Sequence, residues 1–386
     1  MMINYFKPMT KKILEIKAWK ELLDLNMQVY LLTILFCIII TKSYNYGVAA
    51  EITILISLLS LYLVYTFLVN DYCDMPFDIK AGKKRAIHEM PKIVPLGMLI
   101  FFVFLSVILT LLLIFWNSEP LSEGLSEGLS EGLSEGLSEG LSEGLSKYGI
   151  FVLLYGTAYF LATVYSAFPV RLKSRGSLGI IDDVLIEKTL PVLLIFSFFE
   201  YYNLETLLLV VLFSLLQLKI IVEHQILDYE ADLKTEVHTF VVKVGVKKAS
   251  SLLNAVRVFV LLFFLLFAIT LLLKIPFSVI ILAPLFIGYF VMRKLVAEGK
   301  VEKKAARQDL NVPKEWTDRV PLYDGYIVSS MNIVSLFLAL FLAFKSYPFT
   351  AYGSALPAFL IALVLISQYY LIRNIYIPLT KTVISC

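Results

Sequence analysis

Residues 52–78 read ITILISLLSLYLVYTFLVNDYCDMPFD. The apolar run Ile52–Val69 ends at Asn70, and three aspartates follow it, Asp71, Asp74 and Asp78. As a helix rising about 1.5 Å per residue, such a run is close to the ~20 residues that cross a bilayer. If the helix continues past Val69, the i, i+3, i+7 spacing puts all three carboxylates on one face. Carboxylates gathered at a membrane surface repel one another and repel acidic lipid, so the cluster needs a counter-charge or a ligand.

The rest of the chain is of the same kind. Of its 386 residues, 59% are hydrophobic and 17% charged, with a mean hydropathy of +0.81. A soluble domain of this size carries far more charge. Ten apolar runs qualify as spans: Met27–Gly47, Ile52–Val69, Val94–Trp116, Tyr148–Tyr165, Val184–Tyr202, Leu207–Ile226, Leu252–Leu273, Pro276–Met292, Tyr326–Phe344 and Leu356–Leu371. The fifth is the least regular, with Glu187 and Lys188 near its start and Pro191 inside it. Backbone in lipid satisfies its own hydrogen bonds, so the runs are expected to be helices. The expected fold class is an all-α polytopic membrane protein of nine to ten transmembrane helices, built as two four-helix halves plus C-terminal helices. The N-terminal segment, residues 1–26, is basic and amphipathic and has no short apolar core with a small-residue cleavage site, so it is not expected to be a cleaved signal. Cys37, Cys73 and Cys386 form neither a disulfide framework nor a zinc pattern.

Orientation is read from lysine and arginine. With the N-terminus inside, 27 of the 34 fall in inside segments, whereas only Lys42, Lys147, Lys274 and Lys345 fall outside. The expected placement is a multi-pass protein of the cell (inner) membrane, with the aspartates facing the cytoplasm. Between the third and fourth runs lie six tandem LSEG copies, Leu121 to Gly144. A period of 4 drifts around a 3.6-residue helix, and a glycine in every copy costs about 1 kcal/mol of helix stability. Residues 121–146 are therefore expected to be a flexible, acidic external loop. It interrupts a core of residues 27–295, followed by a basic cytoplasmic loop, 296–325, and C-terminal helices within 326–386. The basic run after the eighth span reads as a surface helix on acidic lipid, with no nucleic-acid role.

A second acidic cluster, HQILDYEADLKTEVHTF, follows the sixth span. Asp228 and Asp232 are i, i+4 on one helical face. Both clusters sit at the inner mouth of an even-numbered span. Paired carboxylate clusters suit a hard divalent cation, and Mg2+ commonly bridges carboxylates to substrate phosphates. Five aspartates, a diphosphate and two Mg2+ leave roughly four negative charges. The nearby cations Lys83, Lys84 and Arg85, then Arg171, Lys173 and Arg175, and finally Lys234 supply the balance. Pro169 ends the fourth helix just before Arg171, Lys173 and Arg175.

Three stretches in order, NDYCDMPFD followed by KKR, YSAFPVRLKSRG, and DYEADLKTEVHT, resemble the motifs of the UbiA-type intramembrane prenyltransferases. The resemblance covers about residues 20–295. It departs from the usual pattern at Ala86, at Glu236, and in having Phe168 before Pro169. It implies transfer of a polyprenyl group from an allylic polyprenyl diphosphate to a small acceptor, with Mg2+ as cofactor. The metal residues would be Asp71, Asp74, Asp78, Asp228 and Asp232. Asn70, Lys83, Arg85, Arg171, Lys173 and Lys234 would hold the diphosphate. Asp71, Asp74, Asp228, Asp232 and Tyr165 would carry the chemistry, with Tyr165 beside the diphosphate or the cation. A quinone-precursor aromatic comes first among acceptors; glycerol phosphates and tetrapyrroles are the alternatives. Outside this class stand a transporter, whose ion site would be expected near the bilayer midplane, and a non-catalytic binder of lipid diphosphates.

Overall fold

The computed structural model describes residues 12–13, 15–22, 25–43, 46–80, 82, 85–115, 131–234, 237–297, 322–345 and 355–371. Lys83, Lys84 and Glu236, the first part of the LSEG repeat and most of the basic loop 296–325 lie outside the described residues.

Among the described residues, each of the ten apolar runs overlaps helix. The helices that build the bundle are α1 (Leu25–Thr41), α2 (Tyr46–Lys80), α3 (Ile93–Phe115), α4 (Glu131–Ser166), α5 (Ser177–Val184), α6 (Leu190–Phe198), α7 (Leu204–Leu227), α8 (Tyr229–Lys234), α9 (Val246–Lys274), α10 (Val279–Ala297), α11 (Leu322–Lys345) and α12 (Ala355–Leu371), with short helices at Lys17–Glu21 and Phe240–Val244. Among the described residues, five helices are long and apolar enough to cross a membrane: Val48–Lys80, Ile93–Phe115, Leu141–Ser166, Leu204–Leu227 and Val246–Lys274. Four shorter apolar helices accompany them, Asn26–Thr41, Pro276–Gly288, Ile333–Lys345 and Leu356–Ile366. Among the described residues there is no strand, only an isolated parallel bridge between Gly176 and Thr239.

The two acidic helices have matching neighbours. Helix α2 packs along α3, and α7 packs along α9. Helix α4 closes against both α2 and α3, and α6 lies between α4 and α1. The C-terminal helices attach on the other side, α11 packing on α1, α10 and α12. On α7, Glu223 accepts from Lys219 at 3.1 Å, and across the α7–α9 face it accepts from Arg257 at 3.2 Å, so both cations share one carboxylate. Ile100, Phe101, Phe104 and Val107 stand exposed on α3, as a lipid-facing helix requires.

Three features of this bundle position the site. Helix α2 has 35 residues and so spans about 52 Å, far more than a ~30 Å hydrocarbon layer. Its last turns therefore project beyond the apolar run and carry Asn70 to Asp78 as continuous helix. Between α5 and α6 the chain winds as a π turn, Leu185–Thr189, which resolves the irregularity of the fifth run. The carbonyls of Ile186 and Glu187 in that turn accept hydrogen bonds from Tyr62 Oη at 2.6 Å and Tyr30 Oη at 3.2 Å.

The third feature corrects the expectation of a flexible repeat. The described part of the repeat is helical, and α4 runs unbroken from Glu131 to Ser166. A helix already nucleated by an apolar span extends at little cost per residue, because the unfavourable step is the first turn. The glycines also have a packing use. A Cβ on Gly144 would meet the Ile114 carbonyl oxygen at 2.4 Å, so only glycine lets α4 lie this close to the end of α3.

Candidate active site

The turn after α4 brings the basic motif to the first acidic motif. Arg171 has φ of 40°, a left-handed conformation uncommon for a residue with a side chain. It is followed by a short 3-10 turn, Leu172–Ser174, on which Lys173 sits. Helix α5 begins immediately beneath. A Cβ on Gly179 would stand 2.8 Å from Lys173 Cα and 2.8 Å from the Leu172 carbonyl oxygen, so the turn rests directly on a glycine. Arg175 does not join the site. It folds back on its own loop, donating from Nε to the Val170 carbonyl at 2.6 Å.

Each aspartate of the first motif has a cation. Arg171 donates from Nη2 to Asp74 at 3.0 Å, and Lys173 is ion-paired to the same oxygen. Lys173 also donates to Asn70 Oδ1 at 2.8 Å, and Ser166 Oγ donates to that oxygen at 2.7 Å. Arg85 pairs with buried Asp71 and, from Nε, with Asp78 at 3.0 Å. The Arg171 guanidinium lies 3.7 Å from the centre of the Phe77 ring and 5.1 Å from that of Phe168. These two rings are themselves stacked, 6.2 Å apart and 13° from parallel. The aromatic pair fixes the plane of the guanidinium, as cation–π contact favours. Arg171 Nε and Nη1 are buried and have no hydrogen-bond partner among the described residues. Burial pushes both Arg171 and Lys173 below their usual basicity, with Asp74 pulling in the opposite direction.

The second motif faces the first across one cavity of about 260 Å³. Asp74 and Asp78 line it from α2, Arg85 from the turn after α2, and Tyr165, Arg171 and Lys173 from α4 and its turn. Asp228 and Asp232 line the opposite side. Asp228 follows the last residue of α7, and the Asp232 amide donates to the Asp228 carbonyl at 2.9 Å, which continues the acidic face into α8. Thr239 Oγ1 donates to Asp232 at 3.1 Å, and the bridge between Gly176 and Thr239 ties the basic turn to this side.

Not every expected residue reaches the cavity. Asp71 lies buried behind Arg85 and does not line the wall, and neither does Asn70, which accepts from Lys173 and Ser166. Lys234 is exposed on α8 and is not part of the lining. Lys83 lies outside the described residues. Sequence reasoning missed Phe77, Phe168 and Thr239, which act by holding other side chains in place. It also missed a polar cluster behind Tyr165. There Tyr165 Oη donates to Asp183 at 3.1 Å, and Gln217 Nε2 donates to Asp183 at 2.8 Å and to Glu187 at 3.0 Å. The available signal was IDDVLIEK, residues 181–188, a run of charges in an otherwise apolar stretch.

The donors around the cavity are carboxylate oxygens, which suit a hard divalent cation. Among the described residues, no three His, Cys, Asp or Glu side chains converge closely enough to enclose one ion.

No family model and no curated protein matches the sequence. Among solved structures, a UbiA homologue from Archaeoglobus fulgidus bound to GPP and Mg2+ aligns at 17% identity with a TM-score of 0.46, covering 88% of this chain and 99% of the homologue. The same homologue bound to DMAPP and Mg2+ aligns at 17% identity with a TM-score of 0.47 and the same coverage. A structure of digeranylgeranylglyceryl phosphate synthase aligns at 14% identity with a TM-score of 0.37, covering 90% of this chain and 98% of the synthase. The chain is similar to UbiA-type proteins.

Proposed function

We propose that the protein is a Mg2+-dependent intramembrane prenyltransferase, moving a polyprenyl group from an allylic diphosphate to a small acceptor. The observation that carries this reading is the meeting of both aspartate motifs on one cavity with Arg171, whose Nε and Nη1 are left without partners. A transporter ion site is expected near the bilayer midplane at a broken helix, whereas these aspartates lie at the ends of α2 and α7.

On this reading, Asp74, Asp78, Asp228 and Asp232 would hold Mg2+. When bound, Mg2+ would draw negative charge from the leaving diphosphate. Arg171 presents its free donors to the same diphosphate, held in one plane by Phe77 and Phe168. Lys173 and Arg85, which pair with Asp74 and Asp78 at the cavity, would supply the remaining positive charge. The diphosphate leaves with the electron pair of the C–O bond, and the apolar bundle keeps water from the allylic carbon. The acceptor then supplies the electron pair of the new bond. Asp71 stays behind Arg85 and orients it. A quinone-precursor aromatic is the first choice of acceptor, and the cytoplasmic leaflet of the cell membrane is the proposed location of the cavity.

The test is diphosphate release from farnesyl and geranylgeranyl diphosphates by the purified protein in detergent. Aromatic hydroxy acids, homogentisate and glycerol phosphates serve as acceptors, with and without Mg2+. Mg2+-dependent, acceptor-stimulated release, lost in Asp74→Asn and Asp232→Asn, supports the reading. Tight binding without turnover under any acceptor points to a lipid-diphosphate binder. Absence of binding removes the site assignment.

A further inference from the structure

We propose that Tyr165 and Asp183 form a proton relay that carries the acceptor's proton out of the cavity into a buried acidic cluster. The inference rests on the prenyl-transfer reading and adds the destination of the proton.

Tyr165 lines the cavity, and its hydroxyl donates to Asp183 at 3.1 Å. Its oxygen therefore keeps a lone pair for a donor in the cavity. Asp183 is buried, accepts on its other oxygen from Gln217, and shares that donor with Glu187. Asp182, next along α5, is buried with Oδ2 lacking a partner among the described residues. Lys188, on the same winding, is buried and donates to Asn26. Three acids thus share the neighbourhood with Lys188 and, near Glu187, Lys17. In a low-dielectric interior such an excess of carboxyl groups has room for a proton. The π turn Leu185–Thr189 belongs to the same cluster, and single π turns are frequent at functional positions.

The step balances. The allylic C–O bond breaks with its electrons on the diphosphate. An oxygen or carbon of the acceptor forms the new bond to the allylic carbon with its own electron pair. The proton released by the acceptor passes to Tyr165 Oη as the phenol's own proton passes to Asp183, which becomes neutral. Proton loss to solvent through the cavity after product release resets the pair. Tyr165 is the group that touches the substrate, and Asp183 acts through it.

The experiment separates ionisation from transfer. Geranylgeranyl diphosphate labelled with 18O at the bridging position reports C–O cleavage by scrambling of the label, read with Mg2+ and no acceptor. Transfer is read with the acceptor panel above. The expected result for Asp183→Asn is scrambling within about threefold of the unmodified protein and transfer lower by about a hundredfold, within the range general-base catalysis supplies. Asp183→Glu should regain part of the transfer. Should Asp183→Asn fail to fold, Asp183→Glu carries the same comparison, with a smaller loss of transfer. Unchanged transfer, or scrambling and transfer falling together in folded variants, overturns the relay while leaving the prenyltransferase reading standing. Absence of both scrambling and transfer in the unmodified protein overturns that reading and the relay with it.

Discussion

Gly179 lies directly under Lys173: a Cβ at position 179 would stand 2.8 Å from Lys173 Cα and 2.9 Å from its carbonyl oxygen. Those neighbours are backbone, which cannot swing aside as a flexible side chain can. Gly179→Ala is therefore expected to lift the Leu172–Ser174 turn and move Lys173 and Arg171 off the cavity wall. Affinity for inorganic diphosphate in the presence of Mg2+ should fall about tenfold, the loss of one charge-assisted hydrogen bond. Helix content by circular dichroism should be unchanged. Unaltered affinity would show that the turn tolerates the shift.

Arg171 has two kinds of contact, and its variants separate them. Arg171→Lys keeps a charge for Asp74 but loses the planar fork and the stacking on Phe77 and Phe168. Arg171→Met removes the charge as well. Binding is expected to weaken about tenfold in the first and about a hundredfold in the second. Phe77→Leu, which removes only one stacking face, should resemble the milder case. Equal affinities for the lysine variant and the unmodified protein would argue that Arg171 acts as a point charge.

The depressed basicity of Lys173 has a pH signature. Burial lowers its pKa, and Asp74 only partly offsets this. In the unfolded chain the lysine holds its proton to higher pH, so the unfolded state binds more protons between the two pKa values, and stability rises with pH across that window. Diphosphate binding brings negative charge and raises the pKa of Lys173 again. The complex then holds the proton more tightly than the free protein. Affinity should be full below the pKa of the free protein and fall as pH rises through the window up to the pKa of the complex. Lys173→Met should remove this alkaline fall and leave the remaining pH dependence in place, as read by diphosphate titration over a pH series.

Removing the divalent cation should abolish turnover with EDTA, and Mg2+ should restore it. Asp228→Asn and Asp74→Asn, one from each motif, are each expected to lower turnover at least about a hundredfold, the scale seen when one electrostatic partner of a transition state is lost. Lys234→Ala should have little effect, because Lys234 is exposed and away from the cavity wall. Activity without added metal after exhaustive chelation would exclude the proposed cation role.

Most of the fold was legible because a bilayer imposes a length. A stretch such as Val94–Trp116 leaves little choice but a spanning helix. Both acidic motifs were legible for a related reason: their spacing is local, and a helix keeps i, i+3 and i+4 neighbours on one face whatever surrounds it. Contacts between distant segments were not. The stack of Phe77, Phe168 and Arg171, the support of Lys173 by Gly179 and the bond from Thr239 to Asp232 depend on how the helices pack. Asp183 and Glu187 were visible as charges in an apolar run, but periodicity could only register them as irregularity in a span. Their partner, Gln217, lies 34 residues from Asp183 and 30 from Glu187.

The LSEG repeat shows the opposite error, in which local propensity outweighed continuity, and it yields a paired prediction. Gly144 and Gly149 both lie on α4. A Cβ on Gly144 would meet the Ile114 carbonyl oxygen at 2.4 Å, whereas a Cβ on Gly149 would meet nothing within 4 Å. Gly144→Ala should force the ends of α3 and α4 apart and destabilise the protein by about 1–3 kcal/mol, the usual cost of overpacking. Gly149→Ala should be neutral or stabilising by up to about 1 kcal/mol, because alanine replaces the poorest ordinary helix former without a clash. Thermal unfolding in detergent distinguishes them as opposite shifts, while diphosphate affinity should be unchanged in both. If Gly144→Ala were as stable as Gly149→Ala, the close approach of α4 to Ile114 would be incidental, and the repeat would owe its helix to propagation from the span alone.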